Sequence, residues 1–139
     1  MTDTQVSTER ADMDIAEDVE SLIAHYPPSR NDQRHIQVQV KNGQVTLSGH
    51  VQTPNTRRFL VAQIPSVEGV HSVTADELYD DEGIRLEVGK GLPMGVQLAR
   101  VYYGTVILAG KLPANVTEAS LSEQIQAVPG VAQVKVAFR

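Results

Sequence analysis

The chain has 139 residues, a formal net charge of −5, no cysteine, no tryptophan and only two phenylalanines. This length holds one ordinary domain or two very small ones around an aliphatic core. The missing thiols exclude disulfides, thiolate metal sites and cysteine nucleophiles, and the acidic balance argues against a nucleic-acid partner, which calls for a basic protein.

The opening "MTDTQVSTERADMD" has neither the basic nor the apolar stretch of a secretory leader. No apolar run approaches the ~20 residues of a transmembrane helix. The expected location is therefore cytoplasmic, at most peripheral to a membrane. Residues 1–13 read as a disordered N-terminus. Ile15, Val19, Leu22, Ile23 and Tyr26 form one helical stripe. Asp14 is its expected cap, with Glu17 three places on. Pro27-Pro28 ends the helix, and residues 29–34 read as a polar, basic loop.

Strict alternation follows. Ile36, Val38 and Val40 point one way, and His35, Gln37, Gln39 and Lys41 the other. Asn42-Gly43 suits a type I′ two-residue turn, and Val45, Leu47, Gly49 and Val51 continue the apolar face on the return strand. Thr53-Pro54 caps a second helix with Leu60, Ile64 and Val67 inward. Gly69 ends it and "VHSVTA" makes a third strand. Gly49 and its counterpart Gly110 fall on the buried face, where a helix is expected to press close.

Sliding residues 35–75 onto 96–136 without gaps matches thirteen of 41 positions, among them Val40/Val101, Gly43/Gly104, Leu47/Leu108, Leu60/Leu121 and Gly69/Gly130. This is an internal repeat. Asn115 and Glu118 supply the expected cap of the second copy's helix. Before Val96 there is no partner for the helix over 14–26. The acidic "DELYDDEG", a short alternating piece (Ile84, Leu86, Val88) and "GKGLPMG" fill the space. The expected fold class is α+β: αββαβ followed by a truncated (β)ββαβ, each a three-stranded sheet with helices on one face. The domains are 14–79 and 96–139, joined by an acidic linker and short strand over 80–95.

The run "NGQVTLSGHV", a helix and "VEGVHSV", echoed by "YGTVILAGKL" and "VPGVAQV", resembles the BON domain family. The resemblance implies a bacterial, non-enzymatic module associated with osmotic and envelope stress. It further implies phospholipid binding or, in one cytoplasmic branch, potassium binding. It carries over no binding residue, because the shared positions are structural glycines and core aliphatics.

The chain shows no G-x-S-x-G, H-E-x-x-H or EF-hand spacing. No enzyme activity and no cofactor are expected. Asp76, Asp80 and Glu82 read as a solvated acidic linker. His35 and His50 face each other across the first hairpin, close enough for two ligands of one metal; with no third ligand evident they also read as plain surface histidines. Arg30, Arg34, Arg57 and Arg58 gather at one end of the first unit as a candidate site for anions or lipid headgroups. Asp76, Glu77 and Asp80 are expected at the same end and offer the alternative of surface ion pairs.

The two hairpins differ on the face away from the helices. The first shows only polar residues there; the second, read at the same offset, shows Val96, Leu98, Tyr102 and Ile107. A strand pair apolar on both faces belongs inside something. The candidate cover is the first unit, residues 84–94 or, preferred, a second copy of the chain, giving a homo-oligomer or filament.

Overall fold

The structure, a computed structural model, describes residues 10–139. Of the N-terminal segment read as disordered, residues 1–9 lie outside the described residues. The elements are α1 (Asp12–His25), α2 (Pro27–Asp32), β1 (Ile36–Lys41), β2 (Gln44–Val51), α3 (Pro54–Gln63), β3 (Ser72–Asp80), α4 (Asp81–Lys90), β4 (Val96–Tyr102), β5 (Thr105–Gly110), α5 (Glu118–Gln126) and β6 (Gln133–Phe138). They form two three-stranded sheets, β1-β2-β3 and β4-β5-β6. In each sheet a hairpin is joined by a third strand parallel to its second strand. The fold is α+β with two units of one topology.

Unit 1 packs Ile15, Val19 and Ile23 of α1 and Leu60 of α3 onto Val45, Leu47 and Leu78. Unit 2 packs Ile84 and Val88 of α4 and Leu121 and Ile125 of α5 onto Val106 and Leu108. In α1, α4 and α5 these buried aliphatic residues are four apart, so one stripe faces the sheet.

Several expectations are corrected. The second unit is not truncated. Residues 80–95 are not an acidic linker with a short strand, because β3 runs to Asp80 and α4 begins at Asp81. Ile84 and Val88 are one helical turn apart and buried, while the intervening Leu86 is 70% exposed. Three apolar residues at alternate positions fit a strand, but only two of them are wanted inside. Asp80 accepts a hydrogen bond from the Gly83 N–H at 2.7 Å and caps the helix.

Helix α1 starts at Asp12, not at an Asp14 cap, and its N-cap Ala11 makes no side-chain bond. The expected loop over 29–34 is helical, because Pro27 stands at the first position of α2, where its missing N–H costs nothing. Thr117, not Asn115, caps α5. Thr53 caps α3 as its spacing predicts.

The first hairpin keeps the expected register, Ile36 opposite Gly49 and Val40 opposite Val45. The second does not keep it. Ala99 is an extra residue between the pairs Leu98–Leu108 and Arg100–Ile107. Such a bulge shifts everything on one side of it to the other face. Val96 therefore takes the place of Ile36, and Leu98 that of Val38. What presses on Gly49 is also not a helix. A Cβ there would meet the His35 carbonyl oxygen at 2.0 Å, and one on Gly110 the Gly95 carbonyl at 2.2 Å.

Candidate functional site

Both units repeat one device, and in unit 2 it lies at the seam where the units meet. Asp12, at the start of α1, accepts from the Asn42 and Gly43 amides at 2.9 and 3.1 Å. Asp81, at the start of α4, accepts from the Tyr103 and Gly104 amides at 2.7 and 3.0 Å. In both units one carboxylate thus satisfies both amides of a two-residue turn. Both central residues of each turn have positive φ: 52° and 79° at Asn42-Gly43, 46° and 84° at Tyr103-Gly104. Asn tolerates this region, whereas a bulky Tyr in it is an outlier. Burial raises the Asp81 pKa above the ordinary carboxylate value, against the pull of its two turn amides.

The unusual tyrosine reaches into unit 1. Its ring stacks on His35 with centroids 3.5 Å apart. Its hydroxyl donates to Asp32 Oδ1 at 2.7 Å and accepts from Gln52 Nε2 at 3.0 Å. Asp32 is buried and also accepts from the Gln52 backbone N–H at 3.1 Å. Burial, and then the bond to Asp32, hold the Tyr103 phenol well above its ordinary pKa. Beside it His50 Nε2 lies 2.7 Å from the Gly130 carbonyl, and Tyr79 of β3 packs on the core of unit 2. Nothing in the sequence alone groups Asp32, Gln52, Tyr79, Asp81 and Tyr103. The signal for the first-helix pair was present: "DMDIAEDV" and "DEGIRLEV" share D-x-x-I-x-x-x-V.

The predicted site residues are distributed as follows. Val96 is 7% exposed in the core of unit 2, and Leu98 packs against that core. Both leave the proposed association face, because the Ala99 bulge turns them inward. Tyr102 and Ile107 are on the outer face. They line a groove of about 460 Å³ with His35, Arg100, Tyr103, Thr105 and Lys135. Arg100 lies over the Tyr102 ring at 4.6 Å, and Tyr102 remains 43% exposed. Residues 84–90 are in α4, on the opposite side of the sheet. Unit 1 reaches this groove through His35.

The four arginines do not act alike. Arg57 donates to the carbonyls of Leu78 and Ala75 at 2.8 and 2.7 Å. It serves the irregularity where β3 sets two residues, Ala75 and Asp76, against Leu47. The regular β6 needs no such donor, and Glu118 stands at the matching position. Arg58 bonds Asn55. Arg30 and Arg34 are exposed, and neither forms an ion pair with a carboxylate among the described residues.

His35 and His50 are both engaged with unit 2, one by stacking and one by a hydrogen bond. No group of three or more metal-ligating side chains occurs among the described residues. Of the carboxylates read as a solvated linker, Asp76 in β3 and Glu82 in α4 are exposed but lie in regular elements, whereas Asp80 caps a helix; their neighbour Asp81 holds a turn. No helix among the described residues is long and apolar enough to cross a membrane.

No curated protein matches the sequence significantly. Among solved structures, two of CdsD share the fold. CdsD is described as a structural protein of the Type III secretion system of Chlamydia trachomatis. One superposes with a TM-score of 0.71 at 14% identity, covering 93% of this chain and 63% of that one. The other, of the C-terminal domain, gives 0.68 at 14% identity, covering 94% and 68%. The chain thus spans less than two thirds of the first structure, and at this identity the likeness is one of fold. The BON domain model matches residues 11–78, which are α1 through β3 in αββαβ order with one short extra helix. Residues 11–78, the first unit, are thus identified as a BON domain.

Proposed function

We propose that the chain is a non-catalytic structural module that assembles with further copies of itself through the outer face of its second sheet. The contrast between the two outer faces carries this reading. The inward positions of the hairpins stay aliphatic in both units, but outward the registers pair Lys41 with Tyr102, Thr46 with Ile107 and Ser48 with Ala109. A sheet face that meets only water has no use for such exchanges. The fold shared with a structural protein of a secretion system is consistent with a scaffolding role. The buried polar side chains, Ser29, Asp32, Thr56 and Asp81, bond to the fold itself, and a structural protein asks nothing more of them.

The test is a pair of matched substitutions. Ile107→Lys is expected to lower the solution mass of the folded protein. Thr46→Lys, at the same register on the first sheet, is expected to leave it unchanged. Equal masses for wild type and Ile107→Lys, both folded, would overturn the reading.

A second reading is supported by the exposed Arg30 and Arg34, which have no carboxylate partner among the described residues. They suit an anionic phospholipid surface, the ligand that the family resemblance implies. Co-sedimentation with anionic vesicles should then fall with salt and be lost in Arg30→Ala/Arg34→Ala. Binding indifferent to both would remove this reading.

A further inference from the structure

A sheet face that associates can meet its own like or a different surface of the next copy. The charges on this face decide between the two. Arg100 of β4 and Lys135 of β6 both border the groove that holds Tyr102 and Ile107, and neither is in an ion pair among the described residues. No carboxylate lies at an outward position of β4, β5 or β6. Two such faces pressed together would set cation against cation, which disfavours a symmetric sheet-to-sheet contact.

The complementary surface is on α1. Asp14, Glu17, Asp18 and Glu20 are all exposed, and among the described residues only Asp18 of these four is in an ion pair, with Arg10. Met13, Glu17 and Glu20 follow the i, i+4, i+7 spacing of one stripe, and Met13 is 79% exposed. The stripe therefore presents one apolar side chain and two carboxylates, matching a groove with apolar walls and two cations. The charge asymmetry extends to whole units. Residues 10–80 carry six Lys/Arg against ten Asp/Glu (−4), and residues 81–139 carry six against five (+1).

We infer that copies associate head to tail, the acidic face of α1 of one copy docking on the cationic, aromatic outer face of the second sheet of the next. This rests on the self-assembly reading and specifies its partner surface. Such a contact uses two different patches, so it closes into a ring or, if the rotation does not close, extends as a filament.

Charge exchange tests it. Glu17→Lys/Glu20→Lys alters only the helix, and Arg100→Glu/Lys135→Glu only the sheet; all four positions are exposed, so both variants should fold. Each alone is expected to be monomeric, at least tenfold weaker in association than wild type. Their equimolar mixture should regain the wild-type mass, because lysine-bearing helices then meet glutamate-bearing sheets and native helices meet native sheets. Wild-type assembly should also weaken with salt. If the helix variant assembles like wild type while the sheet variant does not, the inference falls and self-assembly stands. If the folded variants stay monomeric when mixed, the inference also falls. If wild type is itself monomeric, the self-assembly reading falls with it.

Discussion

Replacing Asp81 by alanine removes both acceptors of the second hairpin's turn in one step. The Tyr103 and Gly104 amides lose bonds of 2.7 and 3.0 Å, and Gly104 is buried, so water replaces the carboxylate poorly. Two bonds to a charged acceptor contribute about 1.5–3 kcal/mol each. The burial that raises the Asp81 pKa offsets part of this, leaving an expected loss of about 2–4 kcal/mol. Asp12→Ala removes the equivalent pair in unit 1; Gly43 is buried as Gly104 is, but Asn42 is exposed where Tyr103 is half-buried, so the loss there should be smaller, about 1–3 kcal/mol.

Urea unfolding followed by circular dichroism measures both losses. Amide exchange at Tyr103 and Gly104 reports the site directly. The pH dependence has a defined sign. Native Asp81 holds its proton to higher pH than the unfolded chain does, so its contribution is greatest below the ordinary carboxylate pKa. That contribution declines as pH rises through the native value. The gap between wild type and Asp81→Ala should therefore narrow from acid toward neutral pH. An Asp81→Ala variant within 0.5 kcal/mol of wild type, or one less damaging than Asp12→Ala, would refute the turn-anchor argument.

Gly49→Ala should cost more than about 2 kcal/mol or prevent folding, because its Cβ would lie 2.0 Å from the His35 carbonyl oxygen; thermal melting near wild type would contradict the close approach. Arg57→Ala should destabilise unit 1 by about 2 kcal/mol through the freed Ala75 and Leu78 carbonyls, whereas Arg58→Ala should lie within about 0.5 kcal/mol of wild type; chemical denaturation separates them. Of the four tyrosines, Tyr103 should ionise last in an ultraviolet titration. Because its native pKa is raised, stability should fall as pH climbs above about 10, and this part of the alkaline loss should vanish in Tyr103→Phe.

The first hairpin, α3, the core of unit 1 and the strand of Val106 and Leu108 were legible because their signals are local. Asn42-Gly43 fixes a turn, Thr53-Pro54 fixes a helix start, and Val45/Leu47 and Val106/Leu108 alternate cleanly. What escaped were changes of spacing. The first helix of unit 2 sits at an offset of 69 (Ile15/Ile84, Val19/Val88), not 61, because α2 and its flanks lengthen only unit 1. An ungapped comparison passes over it, and a strand-like alternation stands in its place. The bulge at Ala99 has no residue marker, yet it moves Val96 and Leu98 from the outer face to the core. The seam is legible only in part. Tyr103 in a turn position that favours asparagine is a local oddity, but its partners Asp32, His35 and Gln52 are at least 51 residues away and are brought to it only by folding.

Light scattering on the wild-type protein across a concentration series tests the central claim, that the outer face of the second sheet joins copies of this chain. Self-assembly predicts a mass above the 15.1 kDa of one chain that rises with concentration and returns to the monomer value in Ile107→Lys. A wild-type mass fixed at that of one chain into the high micromolar range would contradict it.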